Sequence, residues 1–345
     1  MNETHVSRDG QIAALTPERW PSADPAAVAR LLDRPFQVVA GKGGVGRTAL
    51  ASAIALRSAR AGARTLLLEV NAPDNAARFL GVAASPDEPR EVRDHLWLCR
   101  MTPAGSLREY ALMILRFRAL YRLVFENRLV KYLLRSIPSL AEFTLAGKTW
   151  YHAVEKMAGS EEPRFERVIV DAPATGHAMT FLSVSRVVAD TVPAGIMRTA
   201  AERMASLVES KDSTCLHIAA LPEEMPVNEG LELARFAREQ LKMTLGIAFV
   251  NRMRPPLLHL GEDEVLQRLA RSEDPAVRPY VAAAQRRLDL EALQREHAQR
   301  FAGQSGLPTI CVRELPHHPR LREFLECMVE ALDEAAGTAH QARHG

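Results

Sequence analysis

Gly41-Lys42-Gly43-Gly44-Val45-Gly46-Arg47-Thr48 fits the pattern G-x-x-x-x-G-x-[ST] and sits between an apolar run and an Ala/Leu-rich run. A strand before such a loop and a helix after it are the context the motif needs. The glycines let backbone N–H groups turn inward and cradle phosphate oxygens. The helix that follows points its N-terminal partial positive charge at the same anion. The Thr48 hydroxyl is placed to ligate Mg²⁺. Gly41, Lys42, Gly43, Gly44, Val45, Gly46, Arg47, Thr48 and Ala49 are therefore the expected contacts of a nucleoside triphosphate, read as ATP with Mg²⁺. The alternative is a glycine turn with no ligand, which the flanks argue against.

Working outward, Phe36 to Ala40 is a short apolar run ending in glycines, a buried strand. Thr48 to Gly62 holds no proline and ends at glycine, which predicts a helix. Thr65 to Val70 is the next strand, and the three together form a βαβ unit with a parallel sheet. Further strands are expected at 167–171, 213–220, 245–250 and 307–312, with helices between them, including a long charged one near 283–301. The fold class is thus α/β, a doubly wound, mainly parallel sheet. Residues 1–34 read as a loosely packed extension with one short helical pattern (Ala26, Val28, Leu31, Leu32), 35–335 as the main domain and 336–345 as a tail.

A segment of different character interrupts the domain at about 105–160. Leu107, Tyr110, Ile114, Phe117, Tyr121 and Val124 recur at helical spacing with arginines between them, Pro138 breaks the pattern, and a second helix is expected over 140–158. This helical insertion could form a groove for a hydrophobic client or a membrane-facing surface. Ordinary packing, with arginine stems covering apolar surface, is the favoured reading.

A metal-bound triphosphate needs a second acid at the end of a later strand. Val168-Ile169-Val170-Asp171 supplies it and continues Ala172-Pro173-Ala174-Thr175-Gly176-His177. Asp171 and Thr48 are the expected metal residues. The Gly176 N–H is expected to meet the terminal phosphate, with glycine supplying backbone freedom.

The bulk properties add limits. Across 345 residues the net charge is +2, with 47% hydrophobic and 25% charged residues, which gives no support for nucleic acid as a partner. The four cysteines, Cys99, Cys215, Cys311 and Cys327, are scattered. They fit a reducing cytoplasm and write no zinc or redox pair. Met1 to Arg8 has no apolar stretch of a secretory signal, and no apolar run is long enough to span a membrane.

The loop Gly-Lys-Gly-Gly-Val-Gly-x-Thr resembles the deviant Walker A loop of the MinD/ParA/ArsA class of ATPases, and Asp171–His177 resembles the switch II signature of the ArsA/Get branch. Val250-Asn251-Arg252 is similar to that branch's adenine-side strand end, Leu315-Pro316-His317 to its late adenine loop, and Leu221 to Glu229 to a segment near the nucleotide. The resemblance covers roughly residues 36–330 and is closest to the bacterial, anion-transporting ATPase-like subgroup. It implies a P-loop fold, Asn251 and Pro316 near the base, and a dimer facing across two nucleotides. It also implies that Lys42 reaches the opposite subunit's phosphates.

Three departures stand out. Arg47 replaces the loop lysine, and a planar guanidinium is not a compact ammonium. Asn71 stands where the family's water-positioning aspartate is expected, with Glu69 upstream and Asp74 three residues on. Clustered cysteines for zinc or a metalloid are missing from the sequence. These suggest a chain that binds ATP and turns it over slowly alone, as a homodimer or beside an active paralogue. The alternative is a non-catalytic regulatory subunit of such a heterodimer. Lys42, Asn71 and Asp171 are the expected catalytic positions.

Overall fold

A computed structural model describes residues 20–21, 23–71, 75–85, 87–103, 105–106, 139–258, 263–314 and 321–338. The expected helix over 107–134, Asp74, Pro316 and His317 lie outside the described residues.

Eight strands form one sheet: β1 (Phe36–Gly41), β2 (Thr65–Val70), β3 (Arg90–Arg93), β4 (Leu96–Met101), β5 (Arg167–Asp171), β6 (Thr214–Ala220), β7 (Leu245–Met253) and β8 (Thr309–Arg313). Their order is β3-β4-β2-β5-β1-β6-β7-β8. Every pairing is parallel except β3 with β4. The central strands are buried on both faces, which is why they read as continuous apolar runs.

The helices are α1 (Pro25–Leu32), α2 (Arg47–Arg60), α3 (Asn75–Leu80), α4 (Leu140–Val154), α5 (Thr175–Thr191), α6 (Ile196–Val208), α7 (Glu224–Glu239), α8 (Asp263–Ala270), α9 (Arg278–Ser305) and α10 (Leu321–Ala335). Along β1, Val38 and Ala40 face a core completed by α4, α5, α7 and α9. Val39 faces the opposite core, completed by α1, α2, α3 and α10. The strand period of two thus serves two cores, as a doubly wound sheet requires.

The structure adjusts the expected elements at four places. The short helical pattern before β1 is α1, capped by the Asp24 carboxylate, and it is packed more firmly than a loose extension, with Val28 and Leu32 buried. The β3–β4 hairpin is an addition to the expected strands: Leu96-Trp97-Leu98-Cys99-Arg100-Met101 pairs with β2 on one side and with the short, polar β3 on the other. The helix expected to reach 158 stops at Val154, where the chain turns back and Lys156 bridges Pro163. The long charged helix runs 28 residues and ends on Gly306, whose φ is 68°. Among the described residues no helix is long and apolar enough to cross a membrane.

One buried polar network ties β1, β6 and β7 together. The Gln37 Nε2 donates to the Leu32 and Arg34 carbonyls, each at 2.8 Å. His217 is fully buried, its Nδ1 accepts the Ile247 N–H at 3.0 Å, and its Nε2 lies 3.0 Å from Gln37 Oε1. A backbone N–H can only donate, so Nδ1 is the acceptor and Nε2 carries the proton. Burial pushes the ring's pKa down to about 3.

Candidate functional site

β1 delivers the loop at its carboxyl end, between β5 and β6. Gly44 and Gly46 have φ of 86° and 95°, left-handed values that favour glycine. Gly46 caps α2 with no side-chain bond, so the first N–H groups of α2 are left for a ligand. Asn251 fixes the loop from below. It is 1% exposed, and its Nδ2 donates to the Val45 carbonyl at 2.8 Å while its Oδ1 accepts the Arg252 N–H. A Cβ on Gly46 would lie 2.3 Å from that Nδ2. The structure thus places Asn251 under the loop as a brace, reached by the register irregularity in β7 between Val250 and Met253.

The two expected metal residues meet. Thr48 Oγ1 donates to Asp171 Oδ2 at 2.6 Å. Asp171 is 2% exposed, and its other oxygen, Oδ1, has no hydrogen-bond partner among the described residues. Burial raises the Asp171 pKa to about 6, while the Thr48 hydroxyl and the Arg47 charge pull the other way. A buried carboxylate oxygen without a partner beside a threonine hydroxyl fits a hard divalent cation such as Mg²⁺.

The Arg47 guanidinium is turned toward switch II: Nη1 donates to the Ala172 carbonyl, next to Asp171. Burial lowers its pKa, opposed by the Asp171 charge. Lys42 is held within its own chain, with Nζ 2.7 Å from Glu229 Oε1 on α7. Glu229 Oε2 also lies 3.4 Å from the Thr175 hydroxyl, so one carboxylate links the loop to the start of α5.

Gly176 lies in the first turn of α5, before the first helical bond, Ala178 N–H to Ala174 O. It has no left-handed φ, and an added Cβ would meet nothing within 4 Å. The expectation that glycine supplies backbone freedom here is corrected: position 176 tolerates a side chain, and what matters is its place at an uncapped helix start. His177 points outward, 3.8 Å from Glu142.

Asn71 is exposed with a φ of 51°, a left-handed value asparagine tolerates, and its N–H donates to Met101 O at 2.8 Å. Glu69 is buried opposite Asp171 in the β2–β5 register, and its Oε1 accepts the Asn75 and Ala76 N–H groups. Its role is therefore to cap α3.

Glu229, Ala172 and Arg78 were not foreseen as partners in this site. Glu229 belongs to a segment singled out only by resemblance, and no local pattern marks a side chain that meets Lys42 from 187 positions away.

A pH prediction follows from two groups of opposite sign. His217 has a folded pKa below its unfolded value of 6.5, so acidification through that value protonates only the unfolded chain and removes stability. Asp171 has a folded pKa above its unfolded 3.8, so protonation between about 6 and 3.8 adds stability. Replacing Asp171 by Asn removes the opposing slope. Asp171→Asn is expected to lose more thermal stability than the parent between about pH 7 and about pH 4.5. Parallel melting curves across that range would sink the idea.

A family model described as anion-transporting ATPase matches residues 35–219, which holds the loop, Asp171 and the start of α5. The chain is similar to the ATPase BagA of Mycobacterium tuberculosis, 28% identical over 241 residues covering 68% of each chain. It is equally similar to an ATPase of Mycobacterium bovis, at the same identity and coverage.

Proposed function

The chain belongs to the anion-transporting ATPase family, and from that premise we propose that it binds ATP with Mg²⁺ in the loop Gly41–Thr48 and works as a dimer whose nucleotide state controls a protein or membrane partner. ATP hydrolysis is the activity of this family. The observation that carries the site is the Thr48–Asp171 pair, with one buried carboxylate oxygen lacking a partner. Thr48 and Asp171 would hold Mg²⁺, and the bound ion would neutralise charge building on the phosphates. The loop N–H groups and the open first turn of α2 orient the phosphates. The N–H groups at the start of α5 stand ready for the terminal phosphate.

Reaching a partner's phosphates would require Lys42 to leave Glu229. Both side chains are about one-third exposed, at 32% and 30%. Such a pair contributes on the order of 1 kcal/mol or less, so nucleotide binding can open it.

The second reading, a regulatory subunit beside an active paralogue, draws on Arg47 and Asn71. Arg47 spends its guanidinium on a backbone carbonyl. Asn71 can hydrogen-bond a water and cannot take its proton. The purified chain is expected to bind ATP and to turn it over well below about one per second alone. Turnover at several per second without a partner would refute slow catalysis.

Arg47→Lys tests the cause. A lysine reaches the phosphates as a point charge and releases the Ala172 carbonyl. Turnover by the isolated chain is expected to rise about tenfold, a change of roughly 1.4 kcal/mol in the barrier. An unchanged kcat with unchanged ATP affinity would remove Arg47 as the limiting feature.

A further inference from the structure

A cavity of about 330 Å³ opens on the outer side of the loop. Gly46, Thr48 and Ala49 form one wall, and Asn75, Arg78 and Phe79 of α3 form the facing one. Two arginines, Arg47 and Arg78, line it, and among the described residues no Asp or Glu does. The Arg47 guanidinium is bound to the Ala172 carbonyl. Arg78 is exposed and, among the described residues, its side chain makes no hydrogen bond or ion pair. An arginine left without an acid, facing an uncapped helix start across a cavity, is a cation placed for an anion.

We propose that Arg78 is a nucleotide-binding residue that contacts the phosphate nearest the nucleoside, supplying a positive charge that Arg47 has turned toward switch II. This rests on reading the loop as the nucleotide site. The position along the nucleotide follows from the lining. Of the two metal residues, Thr48 lines this cavity at its edge and Asp171 does not, and the lining continues past Thr48 along α2 to Ala49. Arg78 therefore lies on the side away from the terminal phosphate. Its contribution is shared by ATP and ADP.

The test is calorimetric binding of ATP and ADP, each with Mg²⁺, to the full chain and to Arg78→Ala and Arg78→Lys. Loss of one charge-assisted contact to phosphate is expected to weaken both nucleotides about tenfold in Arg78→Ala. Arg78→Lys is expected to recover part of the loss. The gap between parent and Arg78→Ala should shrink as salt rises, because an exposed contact is screened. The melting temperature without nucleotide is expected to stay near the parent's; Arg78→Gln is measured if the alanine variant melts early. ATP and ADP binding unchanged in the variants overturns the proposal and leaves the loop reading intact. Loss of ATP affinity alone, with ADP unchanged, overturns the placement. Failure of the parent chain to bind either nucleotide overturns the loop reading and the proposal together.

Discussion

Asp171→Asn is expected to abolish Mg²⁺-dependent turnover while making the nucleotide-free protein more stable. The carboxylate is 2% exposed, and among the described residues only one of its oxygens is hydrogen-bonded, to Thr48 at 2.6 Å. Burial holds its pKa at about 6, about two units above an exposed aspartate. Keeping it ionised above that pH costs the fold an upper bound of about 3 kcal/mol. An asparagine has no charge to desolvate and can still accept from Thr48, so the melting temperature of the free chain at about pH 8 should rise. The same change removes an anionic metal ligand, and turnover is expected to fall by about 10² or more, alone or in a complex with another subunit. Tightening of ATP binding by Mg²⁺ should vanish with it. A variant that melts earlier, or that keeps Mg²⁺-dependent turnover, would show that Asp171 has another role. Opposite signs for stability and activity are typical of a strained functional site.

Gly41→Ala should damage both fold and site. Gly41 pairs with Ala219 across β1 and β6. A Cβ there would lie 2.2 Å from the Ala219 carbonyl oxygen and 3.1 Å from its carbon. That neighbour is backbone in a central strand, so relief requires the two strands to part. Overpacking of this kind costs about 3 kcal/mol, or more where nothing can move. The melting temperature is expected to drop by about 5–10 °C, with ATP binding lost because the loop starts at this residue. Gly43→Ala is the control: its added Cβ meets nothing within 4 Å. It should melt within about a degree or two of the parent. Equal melting of both variants would mean that the approach of Gly41 to β6 is not the constraint.

Much of the fold was legible because its strands are buried on both faces. The runs at 65–70 and 167–171 match the observed strands residue for residue, and Gly62, expected to stop the helix, follows the end of α2 with a left-handed φ of 88°. Strand β4 was not legible, since Arg100 breaks its apolar run and it is made a strand by pairing with β2 on one side and the short polar β3 on the other. The loop and Asp171 were legible because each is a local pattern: glycines before a helix, and an acid ending an apolar strand. What each side chain touches was not.

The sequence by itself determined a phosphate-cradling loop between β1 and α2, an acid to face it, and the substitutions Arg47 and Asn71 that set this chain apart. Those depend on backbone conformation and on residue type, which neighbours along the chain decide. Only the tertiary structure decided that Arg47 turns to Ala172, that Glu229 holds Lys42, that Asn251 braces Val45, and that Arg78 is left facing the loop. These are choices among partners more than a hundred residues apart for Arg47, Lys42 and Asn251. They are made when packing buries a charge or a carbonyl and leaves a particular group within reach to satisfy it.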